Sequence, residues 1–179
     1  MQKKKIFIEI PVPDQIKKIL AQKITKWSDL PVKWAKKESL HITVSFVGYV
    51  DESVVPDICL KVKETASQFE SFEIIFNRIE LAPNTENPRL ISLSGGPIEE
   101  LGKLNETIEE ALGMHPQKHK QFAPHITLGR IRKLKWDEIP EKPVIEEKIR
   151  VTMTADAVLV MESKGGGAEY SALEQCELK

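Results

Sequence analysis

The sequence predicts an α+β protein built of two lobes that face one another. Segments of strand character alternate with segments of helical periodicity along the 179 residues. The string LHITVSF at 40–46 recurs as PHITLGR at 124–130, each copy after a helix and a connecting segment. No linker or low-complexity stretch divides the chain.

Each element follows from local pattern. Residues 5–11 (KIFIEIP) read as a buried strand. Pro13 and Asp14 open a helix, with Ile16, Ile19, Leu20, Ile24 and Trp27 at helical spacing and lysines on the other face. A short strand is expected at 31–35, near Trp34. Residues 40–47 (LHITVSFV) are β-branched and aromatic, hence a strand that Gly48 and Asp51 close. A second helix is expected over 52–69, with Pro56 in its first turns. Strands follow at 72–81 and 89–94, separated by the polar turn PNTENP. A third helix covers 97–112, with Leu101, Leu104, Ile108 and Leu112 on one face and Gly113 at its end. After a polar loop at 114–122 comes a strand at 124–131, then a loop at 133–146 with two prolines. Residues 147–162 and 168–178 alternate as a final hairpin joined across Gly165, Gly166 and Gly167.

Composition excludes several classes. Apolar residues make up 41% and charged residues 30%, the balance of an ordinary globular protein. The net charge of −1 argues neither for nor against a nucleic-acid partner, so only local charge can speak to one. Cys59 and Cys176 read as free thiols of a reducing compartment. No apolar run approaches the ~20 residues of a membrane span. The basic-then-apolar start is interrupted by Glu9, Pro11 and Pro13, which makes it a strand and the expected location the cytoplasm.

Side chains alternate between the faces of a strand. His41 and Thr43 therefore share one face, and so do His125 and Thr127. If the two strands face each other, two imidazoles and two hydroxyls converge. That set suits a phosphodiester. Hydrolysis of a cyclic phosphate needs water deprotonated on one side and the leaving oxygen protonated on the other, and histidine can do either near neutral pH. Hydroxyls can donate to the non-bridging oxygens as charge builds on them. The arrangement requires neither metal nor cofactor. A lone His-x-Thr in a strand is usually structural; two matching copies are harder to dismiss.

Three rivals are weaker. His115, His119 and His125 have spacing that could hold zinc on a helix, but Pro116 argues for a loop. Ser92 and Ser94 lie in a segment that lacks the nucleophile elbow of serine hydrolases. The segment GGGAE lacks the lysine of a phosphate-binding loop.

The two H-I-T strings resemble the H-x-[ST]-h signatures (h, hydrophobic) of the 2H phosphoesterase superfamily. Their surroundings are similar to its LigT-like branch, the RNA 2',3'-cyclic phosphodiesterases also called 2'-5' RNA ligases. KWAKKESLHITVSFVGYVDE, FAPHITLGR, PRLISLSGG and LVMESKGGGAEYSALEQCEL carry the likeness across nearly the whole chain, in order. The resemblance implies a single bilobal domain over 1–179, with two antiparallel-rich sheets forming a cleft and helices on the outer faces. It implies His41 and His125 as catalytic residues and Thr43 and Thr127 as phosphate-binding hydroxyls. Phe46 and Arg130, each five after a histidine, match positions the family uses around the nucleotide. Strict alternation places both on the face opposite the histidines, with Phe46 in the core; a bulge would turn them inward.

The implied substrate is RNA ending in a 2',3'-cyclic phosphate, or a small cyclic nucleotide, opened to a 2'-phosphate by a monomer without metal. His125 is assigned as the base and His41 as the acid, although near-symmetric motifs leave that order open. Lys33, Lys36 and Lys37, with Lys118, Lys120, Arg130, Arg132, Lys133 and Lys135, offer a basic rim for further phosphates. Trp34 and Phe122 could stack bases. The alternatives are action on 2'-5' linkages or on ADP-ribose cyclic phosphate, and a non-catalytic RNA-end-binding module.

Overall fold

The computed structural model describes residues 1–118, 121–167 and 169–179. In chain order the elements are β1 (Lys3–Pro11), α1 (Asp14–Lys23), β2 (Val32–Trp34), β3 (His41–Asp51), α2 (Val55–Ala66), β4 (Phe72–Ala82) and β5 (Leu90–Ser94). Then follow α3 (Glu99–Ala111), β6 (His125–Ile131), α4 (Lys133–Asp137), β7 (Glu146–Ala155), β8 (Ala157–Lys164) and β9 (Glu169–Glu177). Among the described residues, no helix is long and apolar enough to cross a membrane.

All strand pairs are antiparallel, in the order β7-β4-β5-β6-β3-β1-β8-β9, with β2 added to β6. The two expected sheets are joined into one path, but barely. β3 and β6 meet through the single pair Ile42–Ile126, whereas β1 and β3 are paired over their length. One half-sheet is thus β7-β4-β5-β6 and the other β3-β1-β8-β9. Their junction lies at the two repeated motifs.

Apolar spacing explains the packing. Ile6, Ile8 and Ile10 of β1, Ile42 and Val44 of β3 and Ile126 and Leu128 of β6 enter one core. α2 buries Ile58, Val62 and Ala66 there, and α3 buries Leu101, Leu104 and Ile108, three and four residues apart. In α1 only Ile16 and Leu20 are buried, while Ile19 is 46% exposed. The periodicity breaks at Ile24, where the chain tightens into a 3-10 turn through Trp27.

Two further expectations change. The single strand expected at 147–162 is two strands broken at Asp156. β7 pairs with β4 in one half-sheet, and β8 pairs with β1 and β9 in the other. No glycine or proline marks that crossing, so alternation alone ran through it. The loop expected at 133–146 begins as α4, whose Trp136 is buried. Lys142 caps this turn by donating to the carbonyls of Trp136, Asp137 and Ile139. The hairpin across Gly165–Gly167 forms as expected, with all three glycines at positive φ.

Gly129 of β6 lies under β2. A Cβ there would stand 2.5 Å from Val32 Cγ1 and 2.9 Å from Trp34 Cε3. Gly129→Ala is expected to lower stability by about 1–3 kcal/mol through overpacking. Denaturant midpoints would check this, and an unchanged midpoint would mean that β2 moves away freely.

Candidate active site

Ile42 and Ile126 are cross-strand partners, and both are fully buried. Their neighbours in each strand must therefore turn to the opposite face. This places His41, Thr43, His125 and Thr127 on one side of the junction. Partners across the neighbouring strands extend that face: Glu9 opposite Thr43, Ser94 opposite His125 and Ser92 opposite Thr127.

Strict alternation fails three residues after each histidine. β3 carries an extra residue at Val44, because Glu9 pairs with Thr43 but Ile8 pairs with Ser45. β6 carries one at Leu128, because Ser92 pairs with Thr127 but Ile91 pairs with Gly129. Each bulge inverts the alternation beyond it. Phe46 then pairs with Phe7 and Arg130 with Leu90, both on the histidine face. Phe46 is 68% exposed and not in the core. Arg130 is exposed beside Lys33 of β2, and among the described residues it has no ion-pair partner. The placement of both by strict alternation is therefore overturned, and the inward turn stands.

The His41 ring is held from both ends. Nδ1 lies 2.6 Å from the Ser39 carbonyl, which can only accept, so Nδ1 carries the proton. Nε2 then accepts from the Thr43 hydroxyl at 3.0 Å. Phe7 tilts against the ring at 5.2 Å, and Tyr170 of β9 meets it edge-on at 5.6 Å. Burial lowers the imidazole's pKa; the nearby charges of His125, Lys17 and Arg130 add to that, against the opposing Ser39 bond. Glu9 Oε2 stands 3.7 Å from Nδ1, and burial raises the Glu9 carboxyl to about 7 against the pull of Lys17. In the unliganded protein burial thus favours the neutral form of His41. An anionic phosphate bound on this face, or an ionised Glu9, would favour its protonation.

The fork between β3 and β6 opens a cavity of about 350 Å³. Thr43, Phe46, His115, Phe122 and His125 line it together with Ser45, Asn105 and Glu109. Asn105 of α3 donates to the Val44 carbonyl at 2.7 Å, satisfying the edge that β3 leaves open once it parts from β6.

Other sequence candidates separate. Trp34 pairs with Gly129 on the core face, away from the histidines. Its indole N–H is buried without a hydrogen-bond partner among the described residues, and so is the Ser92 hydroxyl. Lys133 pairs with Asp137, and Lys118 with Glu110. His119 and Lys120 lie outside the described residues. Glu9, Tyr170, Ser45, Asn105 and Glu109 escaped the sequence reading. Only Glu9 left a signal, as a charge inside an apolar strand.

The family model described as the 2'-5' RNA ligase superfamily matches residues 12–167. A Thermotoga maritima protein named RNA 2',3'-cyclic phosphodiesterase is 26% identical over 178 residues, covering 97% of this chain and 95% of its own. A Methanocaldococcus jannaschii protein of the same name is 30% identical over 129 residues, 72% of each chain. Among solved structures, one from Thermus thermophilus superposes with a TM-score of 0.77 at 24% identity, covering 97% of both chains. E. coli LigT complexed with 3'-AMP superposes with a TM-score of 0.78 at 18% identity, covering 99% of both. These two share the fold.

Proposed function

The chain belongs to the 2'-5' RNA ligase superfamily, and on that premise we propose that it is an RNA 2',3'-cyclic phosphodiesterase whose two histidines work as an acid–base pair. The observation that carries this is the gathering of two His-x-Thr pairs on one sheet face around Ile42–Ile126. The names of the Thermotoga maritima and Methanocaldococcus jannaschii relatives support the same substrate class.

In this reading the phosphate sits over the junction, held by the Thr43 and Thr127 hydroxyls and the Arg130 guanidinium. His125 takes a proton from the attacking water. Phosphorus gains the water oxygen and loses the 3' oxygen. His41, protonated once the anion is bound, gives Nε2–H to that leaving oxygen, and a 2'-phosphate remains. Nε2 is placed for this because the Ser39 carbonyl occupies Nδ1. The chemistry needs no metal, since each proton has a side chain to receive or supply it. All the proposed groups come from one copy of the chain, which fits a monomer and one two-lobed domain over 1–179. The free thiols Cys59 and Cys176 fit a cytoplasmic location.

Thr127→Val keeps the β-branched shape and removes the donor. It is expected to lower kcat by roughly 10²-fold, the low end for one lost donor to developing charge; unchanged kcat would remove Thr127 from the phosphate site. The whole reading is tested by incubating the protein with a nucleoside 2',3'-cyclic phosphate in excess chelator and separating the products. A 2'-monophosphate is expected. A 3'-monophosphate would reverse the bond that breaks, and no product would refute the reading.

A further inference from the structure

The α3 wall of the cavity at the fork has a one-sided hydrogen-bonding character. On its α3 wall, Glu109 Oε1 accepts from the Ser45 hydroxyl at 2.8 Å and from Asn105 Nδ2 at 3.1 Å. Asn105 Nδ2 donates its other proton to the Val44 carbonyl. Both partners of that amide can only accept, so its nitrogen and oxygen cannot be exchanged. Every side-chain donor on this wall is therefore engaged. Glu109 Oε2 and Asn105 Oδ1 are left as acceptors with no hydrogen-bond partner among the described residues. Two rings line the same cavity, Phe46 on the histidine face and Phe122 after α3. His125 and Thr43 border it, so the space adjoins the phosphate site. Its volume of about 350 Å³ falls within the range of small-ligand pockets.

A wall of two free acceptors discriminates among bases. On its Watson–Crick edge guanine offers two adjacent donors, N1–H and the N2 amino group. Adenine and cytosine each offer one amino group beside a ring acceptor. Uracil offers one N–H between two carbonyls. We propose that this cavity seats the terminal base and that Asn105 and Glu109 make guanosine the preferred end. The inference rests on the cyclic phosphodiesterase reading and names the substrate within it. Phe46 and Phe122 supply stacking, which every base accepts. The acceptor pair supplies the choice, and Gln117, also in the lining, brings a donor for guanine O6.

The test compares kcat/KM for the four nucleoside 2',3'-cyclic monophosphates in wild type and Glu109→Gln. Guanosine should exceed uridine by about tenfold to a hundredfold, as for a paired contact to a base edge. In Glu109→Gln, an amide donor replaces the free oxygen, and the guanosine-to-uridine ratio should fall toward one, chiefly through KM. Equal use of all four bases by wild type would overturn the inference, and so would a ratio unmoved in the variant. Turnover of none of the four would refute the phosphodiesterase reading itself. The inference would then be judged on binding of guanosine and uridine 2'-monophosphates by calorimetry. A guanosine preference that Glu109→Gln abolishes would support it, and equal affinities would overturn it.

Discussion

His125→Ala is expected to lower kcat by ~10²–10⁴, the contribution of one positioned proton transfer, and His41→Ala by a similar factor. Both side chains lie on the open face of the junction, while their strand neighbours Ile42 and Ile126 hold the core. Loss of an imidazole there should leave the fold intact, which circular dichroism and a thermal melt would check. The two variants should differ in side effects. His41 touches Ser39, Thr43, Phe7 and Tyr170, so its removal frees a hydroxyl and opens space between two rings. His125 is exposed, and its loss should spare stability more fully. The double variant should be little worse than either single one, because groups that act as a unit are not additive. Near wild-type turnover in either single variant would remove that histidine from the chemistry.

Glu9→Gln should stabilise the protein in a pH-dependent way. The Glu9 side chain is only 9% exposed. Burial raises its pKa from 4.5 to about 7, opposed only in part by Lys17. A carboxyl raised on folding binds its proton more tightly in the native state than in the unfolded chain. The stability it contributes is complete below pH 4.5 and is lost as pH rises to about 7. Above that, the native state carries a buried charge at a cost of about 3 kcal/mol, taking 1.36 kcal/mol for each pH unit between the two values. Two cationic groups face this carboxyl, Lys17 from α1 and His41 from β3 once it is protonated. Glutamine keeps the shape and loses the titration. Chemical denaturation should therefore show the variant more stable than wild type at pH 8 and equal to it near pH 4. An equal difference at both pH values would mean that Glu9 does not titrate on unfolding. A costly carboxylate beside His41 is the pattern expected where a site trades stability for function.

The four central residues were legible because they need only alternation. An apolar residue between His and Thr fixes which way both point, and the repeat supplies the second pair. Phe46 and Arg130 were not legible in the same way. Their facing depends on the bulges at Val44 and Leu128, and a bulge is a property of pairing register, not of one strand. The break at Asp156 was hidden because Thr154, Ala155, Asp156, Ala157 and Val158 continue a strand pattern while the chain changes half-sheets. The acceptor wall was hidden by distance along the chain. Ser45 and Glu109 are 64 residues apart, and only the packing of α3 against β3 brings them together. Glu9 is visible in the sequence as a charge that interrupts an apolar strand. Its register opposite Thr43 makes it part of the site.

The measurement that tests the two-histidine account most directly is the pH dependence of kcat/KM on a nucleoside 2',3'-cyclic phosphate in excess chelator. Wild type should give a bell, falling on the acid side as the base takes a proton and on the alkaline side as the acid loses one. His41→Ala and His125→Ala should each retain a small rate with one limb missing, and not the same limb. A single-limbed or flat profile in wild type, or a rate that the chelator abolishes, would contradict paired histidine catalysis.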